Sequence, residues 1–312
     1  MEFKEILIPP KEGISSIHFN PNDNNIISTT TWFGSLRSYS IINNNCIFEA
    51  NFEKPVLCSC WLNNNLVAGL SDGGLFLSDG TKVGSHINGV SSIGSFDDSI
   101  LYSTSWDGEI SAWDVRECKK IFGIDTEERI LAGNHSECNI IACSHKNHTY
   151  LLDYRNPESI IKRVSSLQQQ IRCVAPSKPE KDSWATASID GRISIEYFGD
   201  IKQQAQRFAF SGHKVESSER IDVYPINSMC YHPTNGNLFS GCSNGRVICW
   251  DLKQKRKVFE LPKQYETSIS SMDFNSDGSI LAVSSSYMWD KGQCEYPNDK
   301  LEIIMFSQEI QE

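Results

Sequence analysis

One phrase recurs along this chain, and it limits the folds open to it. Its fullest form is Ser103-Thr-Ser-Trp-Asp-Gly-Glu-Ile-Ser-Ala-Trp-Asp-Val115: a strand of small residues, Asp-Gly, then a second apolar strand ending in Trp-Asp. Asp-Gly between two β-rich runs is a strong hairpin signal, because Gly takes a positive φ without penalty and Asp tolerates it. Weaker copies are Ser188-Ile-Asp-Gly-Arg192, Ser243-Asn-Gly-Arg246 before Val247-Ile-Cys-Trp-Asp251, Ser71-Asp-Gly73 and Thr31-Trp-Phe-Gly34. A turn that returns in this way marks a repeat whose units bury their apolar faces against one another.

The first strand of each unit is a short alternating apolar run. These runs begin at Ile14, Val56, Val90, Arg129, Ile171, Ile226 and Ile269. A spacing of about 40 residues, with room for four short strands per unit, predicts an all-β propeller of seven blades. Unit one reads as strands over 14–20, 26–31, 35–41 and 46–52, and unit four has Lys146-Asn147 where the others have Asp-Gly. Unit seven supplies strands over 269–274, 280–285 and 301–306 but no fourth. Residues 3–8 form an unassigned strand at the other end and are expected to complete that blade. Ile6 and Ile8 would then share one face, with Phe3 and Leu7 toward the other. Closing the ring removes exposed sheet edges, so residues 1–312 read as one domain although length alone would suggest about two.

The 312 residues are 39% hydrophobic and 22% charged, the profile of a soluble globular chain. No apolar run is long enough to span a membrane, and Met1-Glu-Phe-Lys-Glu5 lacks the apolar core of a signal peptide. Eleven cysteines without framework spacing imply reduced, mostly buried thiols in cytosol or nucleus. A net charge of −10 disfavours nonspecific binding to nucleic acid or anionic lipid. Asn-rich tracts at 22–25, 43–45 and 63–65 fall at turns, where Asn reaches left-handed backbone conformations.

Catalytic and metal signals are absent. Cys58-Ser-Cys60 and His145-Lys-Asn-His148 do not have zinc-site spacing. There is no Gly-rich phosphate loop, nucleophile elbow or metalloprotease pair. The expectation is a noncatalytic chain with no metal and no cofactor.

The Asp-Gly turns, terminal Trp-Asp and spacing resemble WD-repeat propellers over essentially the whole chain. More narrowly, Pro9-Pro-Lys-Glu-Gly-Ile-Ser-Ser-Ile17, Ser188-Ile-Asp-Gly-Arg-Ile-Ser-Ile-Glu-Tyr197, Tyr224-Pro-Ile-Asn227 and Ser284-Ser-Ser-Tyr-Met288 resemble the Bub-three mitotic checkpoint proteins and their close relative, the Rae-one messenger-RNA export factor. Two departures stand out. Relatives carry a basic residue and Cys before the His of Phe210-Ser-Gly-His-Lys214, and blade one has Trp32-Phe-Gly34 where Trp-Asp is usual.

The resemblance implies that the turn between the second and third strands lies on one face of the disc, together with the link to the next blade. Trp32, Trp106, Arg192, Arg246 and the irregular segments 215–223 and 287–300 fall on that face. It implies peptide binding there by Trp32, Trp106, Arg192, Lys214, Arg246 and Tyr287. Arg192 would pair with a glutamate of a short, largely helical motif, since guanidinium offers a bidentate fork. Trp32 would be an amphipathic anchor, and Lys214 and Arg246 are the nearest cations for a phosphothreonine. His86 and Asp107 would instead hydrogen-bond inward toward Trp113 as architecture.

The implied partners are checkpoint kinase-type proteins, a phosphorylated kinetochore scaffold and the ubiquitin-ligase inhibitory checkpoint complex. The implied locations are nucleus and kinetochore, also cytoplasm, and the expected state is a monomer away from membranes. An export factor of the Rae-one type is the alternative. It would also touch single-stranded RNA, and the Tyr287-Met-Trp-Asp-Lys-Gly292 loop resembles that branch. The acidic balance and the short lead into the first strand favour the checkpoint reading. A propeller hydrolase would instead require a metal or convergent carboxylates in the central channel.

Overall fold

A computed structural model describes residues 1–6, 13–199, 201–216, 220–289, 292 and 299–306. Among the described residues the chain forms seven four-stranded antiparallel sheets and one two-stranded hairpin. The inner strands are Ile14–Asn20, Val56–Leu62, Val90–Ser95, Ile130–Ser136, Ile171–Pro176, Ile226–Tyr231 and Ile269–Phe274, and each contacts the next around the ring. The fourth starts at Ile130, with Arg129 as the last linker residue.

Each inner strand carries a register shift after its first residue, between Ile14 and Ser16 in blade one and between Ile269 and Ser271 in blade seven. A bulge adds one unpaired residue and sharpens the twist. The extra residues, including Ser15, Ser91, Arg172 and Asn227, line a central channel of about 610 Å³.

No single centre holds the apolar core. It is divided among the seven blade junctions, one cluster to each. Leu36 of blade one packs with Val56 and Trp61 of blade two, and Ala175 of blade five with Met229 and Trp250 of blade six. At the last junction Ile303 of blade seven meets Ile14 and Ile17 of blade one, with Ile6 fully buried between them.

Ile6 gets there because the N-terminal strand Glu2–Glu5 pairs with Lys300–Met305, placing Phe3 opposite Ile304. The Ile6 N–H then donates to the Leu301 carbonyl at 3.0 Å. Phe3 packs instead toward Phe239 and Phe274. The two side chains therefore take opposite faces, as alternation requires. Leu7 and Ile8 lie outside the described residues.

The segment expected to be irregular before blade six contains a hairpin, Lys214–Glu216 with Ile221–Val223. Residues 217–219 lie outside the described residues, as do 290–291 and 293–298 of the other segment. Asn44 and Asn63 take φ of 51° and 55°, consistent with turns in the Asn tracts. All ten described cysteines are free.

Candidate peptide-recognition face

Seven equivalent turns define one face of the disc. In each blade the first turn residue donates its N–H to the carbonyl just before the inner strand. Trp32 donates to Gly13, Ser71 to Pro55, Trp106 to Gly89, His145 to Arg129, Ile189 to Gln170, Ser243 to Pro225 and Ser286 to Ser268, all at 2.9–3.0 Å. Trp32, Trp106, Arg192 and Arg246 therefore stand at or beside equivalent positions of different blades.

Blade three shows how such a turn is held. Trp113 Nε1 donates to Ser103 Oγ at 2.7 Å, and Ser103 Oγ lies 2.6 Å from His86 Nε2. The other ring nitrogen of His86, Nδ1, lies 3.3 Å from Asp107 Oδ2. Burial alone would raise the Asp107 carboxyl, but N–H groups of Glu109 and Ile87 and the nearby His86 hold it below its ordinary range. These groups are structural, as expected. Blade six repeats the arrangement without the Asp: His213 Nε2 and Trp250 Nε1 each lie 2.8 Å from Ser240 Oγ, and Asn244 occupies the Asp position. Burial pushes the His213 imidazole down to about 4.

Arg192 stands at the junction of blades five and six. Gly191 has φ of 70°, and a Cβ there would come within 2.7 Å of the His213 carbonyl oxygen. Only glycine fits so close an approach, which fixes where the next side chain begins. Arg192 is exposed, and among the described residues its guanidinium has no hydrogen-bond or ion-pair partner. Lys214 lies at the same junction, one residue beyond His213 and opposite Val223 in the hairpin.

Arg246, on the next blade, is already engaged. Its Nε lies 3.4 Å from Glu260, which also takes Lys257 at 2.6 Å. Tyr287 donates its hydroxyl to the Gly292 carbonyl at 2.8 Å and packs against Trp289, ring centroids 6.0 Å apart.

Trp32 is 45% exposed. Trp106, its counterpart on blade three, lies over the linker so closely that a Cβ at Gly89 would meet its ring at 2.7 Å. The structure thus brings Trp32 and Tyr287 onto adjacent blades and Arg192 and Lys214 onto one junction, and leaves Trp106 apart. Sequence reasoning missed Phe33 and Trp289, 76% and 62% exposed on this face. Their positions inside turns between buried strands were the available signal.

His86, Asp107 and Glu109 place three potential ligand atoms within 4.8 Å of one another, but Lys120 already holds Glu109 at 2.6 Å. In the channel, the carboxylates of Asp273 and Glu137 are engaged by the Phe19 N–H at 2.9 Å and by Lys181 at 3.0 Å. Burial pushes the Cys60 thiol up to about 12, away from thiolate chemistry.

Residues 206–251 match the family described as WD domain, G-beta repeat. The structure titled U3-55K superposes with a TM-score of 0.83 over 97% of this chain and 98% of its own, at 14% identity, which bears on the fold alone. A poly(A)+ RNA export protein of Schizosaccharomyces pombe is 27% identical over 92% of this chain and 85% of its own. The mitotic checkpoint protein bub3 of Dictyostelium discoideum is 34% identical over 96% of this chain and 93% of its own. With its seven blades closed by the N-terminal strand and that identity along nearly its whole length, the chain belongs to the Bub3 family of WD-repeat mitotic checkpoint proteins.

Proposed function

We propose that this chain is a noncatalytic adaptor of the spindle assembly checkpoint, holding a glutamate-containing segment of checkpoint kinase-type proteins across the turn-bearing face. The observation that carries this reading is Arg192, an exposed guanidinium on a turn fixed by Gly191 and without a partner among the described residues. An unpaired fork presented from a rigid scaffold suits bidentate capture of a carboxylate. Trp32 and Tyr287 supply aromatic surface on blades one and seven, and Trp106 adds a partly exposed edge on blade three.

Lys214 beside Arg192 supports recognition of a phosphorylated kinetochore scaffold at the same junction. Arg246 would join it only by giving up Glu260. The reading places the protein in nucleus, kinetochore and cytoplasm, as a monomer that enters the complex inhibiting the checkpoint's ubiquitin ligase.

An export role is supported by the similarity to the RNA export protein and by the resemblance of the Tyr287-Met-Trp-Asp-Lys-Gly292 loop to that branch. The net charge of −10 weighs against it.

The test is capture from mitotic extract on immobilised wild type and Arg192→Glu, read by mass spectrometry. The proposal expects checkpoint kinase-type and kinetochore proteins on wild type and their loss on the variant. Recovery of nuclear-pore and RNA-bound proteins on both would overturn it.

A further inference from the structure

Blades three and four solve the same internal problem with the charges exchanged. In blade three the linker contributes a buried imidazole, His86, and the turn contributes the carboxylates Asp107 and Glu109. In blade four the linker contributes a buried carboxylate, Glu128, and the turn contributes Lys146 and His148.

The backbone makes the turn positions equivalent, while Glu128 stands two places further along its linker than His86 does along its own. Trp106 donates to Gly89 as His145 does to Arg129, and Thr126 donates to Gly108 as Ser165 does to Asn147. Asn147 stands in for the turn glycine with φ of 61°, a left-handed conformation Asn tolerates. Each outer strand also supplies a lysine, from different register positions: Lys120, opposite Trp113, lies 4.9 Å over its ring, and Lys162, opposite Tyr150, lies 5.4 Å over that ring.

The blade-four network leaves its buried member satisfied. Glu128 accepts from Ser144 at 2.6 Å, from His148 at 2.8 Å and from Lys162 at 2.8 Å. Folding therefore does not require the exchange, because blade three holds its turn the other way round. What the exchange alters is the charge presented outward.

On blade four the single carboxylate at the centre is buried while its partners are not: Lys146 and Lys162 are 57% and 47% exposed. Arg129, on the linker between them, is exposed and has no ion-pair partner among the described residues. The exposed Glu127 of the same linker pairs with none of these cations. Three cations thus stand together at this turn, beside the exposed Asp125 and Glu127 of the linker, on a protein whose net charge is −10.

We propose that the blade-four turn is a second anion-binding subsite on this face, in which Arg129, Lys146 and Lys162 take a carboxylate or phosphate of an acidic peptide. It is separate from the Arg192 junction and does not depend on it. Peptide is favoured over single-stranded RNA because, beyond the exposed His145 imidazole, blade four offers no exposed Phe, Tyr or Trp ring for base stacking among the described residues. Tyr150 is buried beneath Lys162, and Tyr154 stacks on Phe96 at 4.1 Å.

The test is a two-dimensional NMR titration of the full chain with hexaglutamate, a phosphoserine hexapeptide and inorganic phosphate. Wild type, Lys146→Arg and Lys146→Glu are compared, with melting temperatures to confirm folding. The proposal expects salt-sensitive shifts of the Lys146, Asn147 and His148 amides, retained in Lys146→Arg. In Lys146→Glu, binding should weaken about three- to tenfold. Shifts with hexaglutamate alone assign the subsite to carboxylates, and shifts with phosphopeptide and phosphate assign it to phosphoryl groups. Silent blade-four amides, or equal affinity for wild type and Lys146→Glu, would overturn the proposal. So would tighter binding of an oligouridine than of a peptide of equal charge.

Discussion

Ser103 serves two buried groups with one hydroxyl, accepting the Trp113 N–H and hydrogen-bonding His86 Nε2. Ser103→Ala removes both bonds inside the blade and leaves an indole N–H and an imidazole nitrogen buried without partners. At about 1–3 kcal/mol for each unsatisfied group, the loss should be about 2–6 kcal/mol, read as a lower midpoint in urea denaturation. An unchanged midpoint would contradict the structural role given to His86. Burial also depresses His135 and His213 to about 4 from an ordinary 6.5. Between those values the unfolded chain binds more protons than the folded one, so stability falls as pH falls from 6.5 toward 4. Glu128 works the same way at lower pH. Burial alone would raise its carboxyl, but Lys162, Ser144 and His148 hold it far below, so its contribution is lost only under more acid conditions. Unfolding free energies from urea denaturation at pH 7 and pH 5 should therefore differ by about a few kcal/mol for two such histidines, with the lower midpoint at pH 5. Equal midpoints would mean that the imidazoles are not buried neutral.

The N-terminal strand is the element whose removal reaches furthest. It supplies the outer strand of blade seven and plants Ile6 at the junction with blade one. Deleting residues 1–8 exposes the edge of Lys300–Met305 and empties the Ile6 position. Burial of an isoleucine is worth about 1.5–3 kcal/mol, so with Phe3 and the lost ladder the deletion approaches the 5–15 kcal/mol typical of a whole domain. A much lower melting temperature is expected, and equal melting of truncated and full-length chains would refute the closure. At this scale much was legible in the sequence. Asp-Gly turns and alternating apolar runs located the inner strands, because turn chemistry and side-chain period are local. The bulge after the first residue of every inner strand was not legible, since it depends on pairing across the blade. Nor was the charge exchange in blade four. Lys146-Asn147 reads as a damaged Asp-Gly until Glu128, eighteen residues upstream, is seen beneath it. Arg192 was found only through resemblance: an Arg after a turn Gly is unremarkable until neighbouring carbonyls show why that glycine is fixed.

Across the whole molecule the turn-bearing face is uneven. Exposed aromatic side chains gather on blades seven and one, with Trp289, Trp32 and Phe33, while Arg129, Lys146, Lys162, Arg192 and Lys214 stand on blades four to six. A rigid ring with apolar anchors on one arc and cations on the other suits an extended acidic peptide better than a compact partner. The measurement that tests this account most directly is calorimetry of wild type, Arg192→Lys and Arg192→Glu against a synthetic peptide of the glutamate-containing segment, with a single-stranded RNA titration beside it. Arg192 is exposed, so neither change should cost much stability. Loss of a buried charge partner at an interface typically costs 2–5 kcal/mol, which is about 30-fold to several thousandfold in affinity for Arg192→Glu. Arg192→Lys should fall between, keeping the charge and losing the fork. RNA should bind weakly or not at all. If all three proteins bind the peptide equally, Arg192 does not hold its carboxylate and the assigned face is wrong.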